Sequence, residues 1–142
     1  MEQNYANHRR WVPMYHFVAS LMILLTLIGA GINLYRSFGT DNLYSASLIF
    51  VNTLALLFVF FFARTFAIKA QDRAIRAEEN LRHFVMDGKL IDPKVTVRQI
   101  IGLRFASDDE FLDLEKRAVK ENLSEEGIKK AVKNWRADTY RA

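Results

Sequence analysis

The sequence predicts an all-α fold: a transmembrane helical hairpin with helix two extended into the cytoplasm, plus a small C-terminal three-helix module. Three observations carry this. First, no charged residue lies between Arg10 and Arg36, and none between Asp41 and Arg64. At a rise of about 1.5 Å per residue these stretches make helices of about 37 and 33 Å, against a hydrocarbon core about 30 Å thick. Second, apart from Arg9, Arg10 and Arg36 all of the 20 Lys/Arg lie after Ala63, as do all of the 16 Asp/Glu apart from Glu2 and Asp41. An apolar half therefore precedes a highly charged one. Third, apolar residues recur at helical spacing through the charged half, with capping residues between the runs.

Residues 1–10 form a polar N-terminal tail, expected to fray. Residues 11–63 form the transmembrane hairpin, 64–88 a juxtamembrane helix and 89–142 a cytoplasmic helical module. Trp11 and Tyr15 suit one membrane interface, and Tyr35 and Tyr44 the other. Pro13 falls in the first turn of helix one, where its missing N–H costs little. Helix one runs from about Pro13 to Tyr35, and helix two starts near Leu43. The connector Arg36–Asn42 holds the turn formers Gly39, Asp41 and Asn42 and is short enough to force antiparallel neighbours. A cleaved signal has a shorter apolar region, of about 7–15 residues, with small residues after it. Here Gly29, Ala30 and Gly31 lie inside the span, so an uncleaved anchor is expected.

Four of the polar residues in the spans pair by depth. In an antiparallel hairpin Thr26 falls level with Asn52, and Asn33 with Ser45. On each helix the two members are two turns apart and share a face. They are expected to bond across the hairpin, with Gly29, Ala30 and Ala55 allowing close approach. A pore or substrate site built from these groups would be expected to include an intramembrane charge, and none accompanies them.

The helical pattern continues past the membrane to about Asp87, with Gly88 as its stop. Ala67, Ala70, Ala74, Ala77, Leu81 and Phe84 alternate by three and four residues, a heptad-like seam for the C-terminal helices, a second copy or another subunit. Asp72–Arg76 and Glu78–Arg82 are spaced as outer-surface ion pairs. Arg64, Lys69, Arg73 and Arg76 lie where anionic headgroups are expected. Lys89–Val95, with Pro93, reads as a linker. Thr96 with Gln99 makes a capping box and opens a helix to about Phe105. Ser107 with Glu110 makes another, opening a helix to about Asn122. Ser124 caps a third, running to about Tyr140. The stripe Ile128, Val132 and Trp135 is expected to point inward against Phe111, Leu114 or the alanine seam. So small a core is marginal alone.

The chemistry is sparse. The chain has no cysteine, which excludes disulfides, thiolate nucleophiles and cysteine-bound metals. Helix two has no histidine within its span, so no facing pair of histidines is available to hold haem. No histidine spacing suits a metal. Asp108, Asp109 and Glu110 resemble a paired-carboxylate site, but the first turn of a helix favours anions without any catalytic reason. No enzymatic activity and no cofactor is expected. The net charge of +4 suits an anionic lipid surface. The last two helices have helix-turn-helix spacing, and Lys129, Lys130, Lys133 and Arg136 form a basic face. Glu125 and Glu126 stand at the end that would meet the bases, so the basic face is assigned to a protein partner or an anionic surface.

Three stretches carry a family resemblance. They are Gln71-Asp72-Arg73 with Glu78-Glu79 and Leu81-Arg82; Arg98-Gln99-Ile100-Ile101 through Leu103-Arg104-Phe105-Ala106-Ser107-Asp108; and Ile128 through Trp135, followed by Asp138. With these the chain resembles a family of small bacterial membrane proteins grouped as a domain of unknown function. The resemblance implies a two-span bacterial membrane protein and no assigned activity. The expected role is a structural or interaction subunit, accessory or scaffold. Its expected partners are the lipid bilayer and a membrane or cytoplasmic protein or a second copy. A small transport or channel component acting as an oligomer is the alternative, and a membrane-tethered nucleic-acid binder comes third. Positive residues flank the outer ends of both spans, which predicts the inner membrane with both termini cytoplasmic.

Overall fold

The computed structural model describes residues 3–139. Among them it forms helices and one isolated antiparallel bridge, between Ala106 and Trp135, with no strand. After a π-helical turn at Met14–Ala19 come α1 (Ser20–Arg36), α2 (Leu43–Asp87), α3 (Val97–Leu103), α4 (Asp108–Lys120) and α5 (Glu125–Ala131). The chain divides into two units: Trp11–Phe66, and a second made of the residues up to Arg10 with those from Ala67 onward.

The first unit is the hairpin. Met14–Arg36 and Leu43–Asp87 are both long and apolar enough to cross a membrane. Only 6% and 11% of their apolar windows are buried within the chain, unlike the core helix of a soluble protein. Near the N-terminal end Tyr15 stacks on Phe60 with centroids 4.3 Å apart, and its hydroxyl donates to the Phe60 carbonyl (2.8 Å). Arg64 lies 5.8 Å over the same Tyr15 ring. Along the helices the buried residues are Ile23 and Ala30 on α1, and Ala46 and Thr53 on α2. Each pair is two turns apart, as expected of a packed face, but it is not the expected pair. Thr26, Asn33, Ser45 and Asn52 are all exposed, and the hairpin does not bring them together. On α2 the packed face lies one residue on from the expected one, with Ala46 and Thr53 in place of Ser45 and Asn52, and on α1 three residues back, with Ile23 and Ala30 in place of Thr26 and Asn33. Hydroxyls in a helix satisfy themselves: Thr26 donates to the Met22 carbonyl (2.9 Å) and Thr53 to that of Ile49 (2.9 Å). They therefore exert no pull on the opposite helix, and the apolar and small residues set the contact.

The second unit is built on the far part of α2, which is a member of its core. Ile75 joins Ile91 and Val95 of the connecting loop, Ile100 and Leu103 of α3, Phe111 and Leu114 of α4, and Ile128 and Val132. α2 ends where expected. Gly88 has φ +70, and its N–H returns to the Phe84 carbonyl (2.8 Å). The Thr96–Gln99 capping box is present in full. Gln99 is also buried, and its side-chain amide donates to the carbonyls of Ala118 (3.1 Å) and Leu123 (3.0 Å). It thus closes the C-terminal end of α4 as well as the start of α3. Where α3 meets α5, Gly102 lets the backbones approach: a Cβ there would lie 3.0 Å from the Glu125 carbonyl and 3.1 Å from Ile128.

Several expectations fail in this unit. The helix from Ser124 stops at Ala131 and does not reach the Tyr140 region, which lies outside the described residues. Val132 turns extended, and the Glu110 carboxylate takes the backbone N–H groups of Lys133 (3.1 Å) and Asn134 (3.0 Å). The chain then returns antiparallel to 105–107, with Ser107 N–H to Asn134 O (3.1 Å) and Arg136 N–H to Phe105 O (2.8 Å). Glu110 is thereby diverted from the box expected with Ser107, whose side chain makes no capping bond. Residues 3–10 of the N-terminal tail are not frayed either. The Gln3 amide donates to the Asp138 carbonyl (3.2 Å) and accepts its N–H (2.8 Å). The His8 ring lies 5.8 Å from those of Phe105 and Trp135, and Arg10 donates to the Thr139 carbonyl (2.6 Å). Residues 3–10 form an arm laid on the module.

Candidate functional site

The far part of α2 presents Glu79, Arg82 and His83 to α4, within one turn of each other. Glu79 and His83 are buried. Burial of so many ionisable groups demands partners, and the geometry supplies them. Arg82 donates to Glu79 (3.0 Å), to Asp108 at the start of α4 (2.7 Å) and to the Ala106 carbonyl (2.7 Å), and its guanidinium lies 4.5 Å over the Phe111 ring. Arg136 reaches Glu79 from the returning segment (3.5 Å). Neither ion pair expected on the outer surface of α2 closes among the described residues; in the second, Arg82 turns inward to this cluster and leaves Glu78 exposed.

His83 continues the network. Its Nδ1 lies 2.7 Å from the Lys89 carbonyl oxygen, which can only accept, so Nδ1 carries a proton. Its Nε2 lies 2.7 Å from Glu115 Oε2, while Glu115 Oε1 accepts the Asp92 N–H (3.1 Å). The pair clamps the connecting loop to α2 and α4. A cavity of about 630 Å³ opens between the arm and the returning segment, lined by Gln3, Asn4, Ser107, Asp108, Lys133 and Trp135 among others. The Ser107 hydroxyl is buried there without a hydrogen-bond partner.

These groups serve one another: the cations meet carboxylates and carbonyls, and the acidic run at Asp108–Glu110 is divided between Arg82 and the backbone of the returning segment. No group of His, Asp or Glu suited to a metal ion occurs among the described residues. The four basic residues of the expected recognition helix are dispersed. Lys129 pairs with Glu125 (2.6 Å), Lys130 lies over the Tyr5 ring (5.4 Å), and Lys133 and Arg136 fall on the extended segment beyond α5. Of the expected headgroup contacts, Lys69, Arg73 and Arg76 are exposed and Arg64 is half-buried beside Tyr15. Sequence reasoning missed the Glu79–Arg82–His83 face. The only signal for it was three ionisable residues on the side of α2 opposite the alanine seam.

The fold and this network define an all-helical protein with two helices able to span a membrane and a polar, ion-paired helical module. The chain belongs to a family of unknown function, DUF6526, whose model matches residues 1–142. No curated protein and no solved structure matches it.

Proposed function

We propose that the chain is a two-span protein of the bacterial inner membrane, both termini cytoplasmic, serving as an accessory or scaffold subunit through its helical module. The observation that carries the interaction role is apolar surface left bare on a module that is otherwise densely paired: Val85 and Leu90 are 77% and 66% exposed. Uncovered patches of this kind mark interaction sites. The topology draws support from the arm. Residues before the first span bond to residues after the second, which supports a chain that returns to the side from which it left. Arg9 and Arg10, with Lys69, Arg73 and Arg76, favour the cytoplasm for that side.

A reporter fused after the last residue should work only if it is one that needs the cytoplasm. Activity of a periplasm-dependent reporter there would overturn the orientation. Val85→Lys with Leu90→Lys should leave the protein in the membrane and strip its co-purifying proteins in mild detergent. An unchanged set of partners would overturn the interaction role. A small transport or channel component acting as an oligomer is the second reading, favoured by Asn33 and Asn52 on the outer surface of the hairpin. It requires that Asn33→Leu with Asn52→Leu abolish an ion or solute flux in vesicles.

A further inference from the structure

Beyond Phe66, α2 has two opposite faces. One carries Ile75, Glu79 and His83, all buried against the module. The other carries Ala67, Ala70, Ala74, Ala77, Leu81 and Phe84, all exposed. The module therefore does not cover the seam. The spacing of these six residues is a strict three-four alternation, two core positions in every seven. A surface helix packed on its own chain follows a period of 3.6, whereas a sustained period of 3.5 is the pattern of helices wound round each other.

We propose that this face binds a second copy of the same chain, forming a parallel, in-register two-stranded coiled coil. The proposal rests on the membrane reading above, because two copies inserted in the same sense present their α2 helices in parallel. The flanking charges fit it. With Ala67 as the first core position, Arg73 takes the flanking position that ends its heptad and Glu78 the flanking position of the next. In a parallel pair these two positions meet across the interface, and two-fold symmetry makes the contact twice. Both residues are exposed, and neither has an ion-pair partner within the chain among the described residues. Glu78 is free for this role because Arg82, its expected partner one turn on, is held on the opposite face by Glu79 and Asp108. The alanines let the two helices approach closely, and Leu81 and Phe84 supply larger apolar area toward the end of the seam.

The chain has no cysteine, so single cysteines report directly on the contact. Ala70→Cys and Ala77→Cys lie on the seam, while Lys69→Cys and Arg76→Cys lie one position off it, exposed on the same helix. On mild oxidation of the full-length protein in its own membranes, the seam variants should give disulfide-linked dimers at several-fold higher yield than the other two. Arg73→Glu in the Ala77→Cys background should lower the yield several-fold, and adding Glu78→Arg should restore it. Equal yields on and off the seam, no dimer at either seam position, or a seam adduct of a mass other than twice the chain would each overturn the proposal. Carbonate washing of the same membranes separates the two readings. Retention of the protein without seam crosslinks sinks the dimer alone, and release of the protein sinks the membrane reading it rests on.

Discussion

His83 Nε2 and Glu115 Oε2 lie 2.7 Å apart, joining α2 to α4, and both side chains are 7% exposed. One proton must lie on that contact, because the other ring nitrogen is committed to the Lys89 carbonyl. The pair holds the loop after Gly88 by the Asp92 N–H bound to the second Glu115 oxygen. The charged half of the sequence folds around such exchanges, with groups far apart in the chain satisfying one another.

Replacing Glu115 tests this clamp. Glu115→Gln keeps an oxygen for the Asp92 N–H and offers an N–H to a neutral His83, so its effect should be under about 1 kcal/mol. Glu115→Ala strands both neighbours and should cost about 1–3 kcal/mol for each group left unsatisfied. Melting of the full-length protein in mild detergent, with hydrogen exchange at the Asp92 amide, checks both. Equal damage from Gln and Ala would show that packing, not the hydrogen bonds, holds the loop.

Gly102 is needed for space rather than for its dihedral angles. A methyl group there meets the Glu125 carbonyl at 3.0 Å and Ile128, which is fully buried. Gly102→Ala should push α5 away and destabilise the module by about 1–3 kcal/mol, the usual cost of overpacking. In an open helix the same change is favourable, so a stabilised variant would contradict the close approach.

Gln99 donates to two carbonyls at the end of α4 and accepts the Thr96 N–H (2.9 Å). Gln99→Glu preserves shape but faces a carboxylate with the Ala118 and Leu123 carbonyls, so it should be at least as damaging as Gln99→Ala. Amides near Leu123 should lose exchange protection in both variants. Retention of protection in the Glu variant would refute the role.

The arm should be sensitive to acid. The Tyr5 hydroxyl donates to Glu126, and this bond, followed by the Lys130 charge, holds that carboxyl below its ordinary value of 4.5. A lowered folded value means that the contribution is complete above the ordinary value and is lost as pH falls through the folded one. Proteolysis within residues 3–10 should therefore accelerate below about pH 4.5 and be slow at neutral pH. Tyr5→Phe should speed it at neutral pH and flatten the acid response. An acid response unchanged in Tyr5→Phe would place the sensitive group elsewhere.

What the sequence determined by itself is what short-range physics decides. The uncharged stretches after Arg10 and Asp41 set the two long apolar helices, because length and polarity are local properties. Gly88, Thr96 and Ser124 marked element ends, because a cap needs only its next three or four residues. The tertiary structure decided the rest. The packed face of the hairpin turned on which small residues met, since Thr26 and Thr53 had satisfied themselves within their own helices. Arg82 chose Asp108, 26 residues away, over Glu78 in its own helix. α5 ended early because Glu110 captured the backbone beyond it, and the arm folded because Gln3 found Asp138, 135 residues on. Each of these outcomes depends on a partner that spacing along the chain does not bring near and that only the folded core puts within reach.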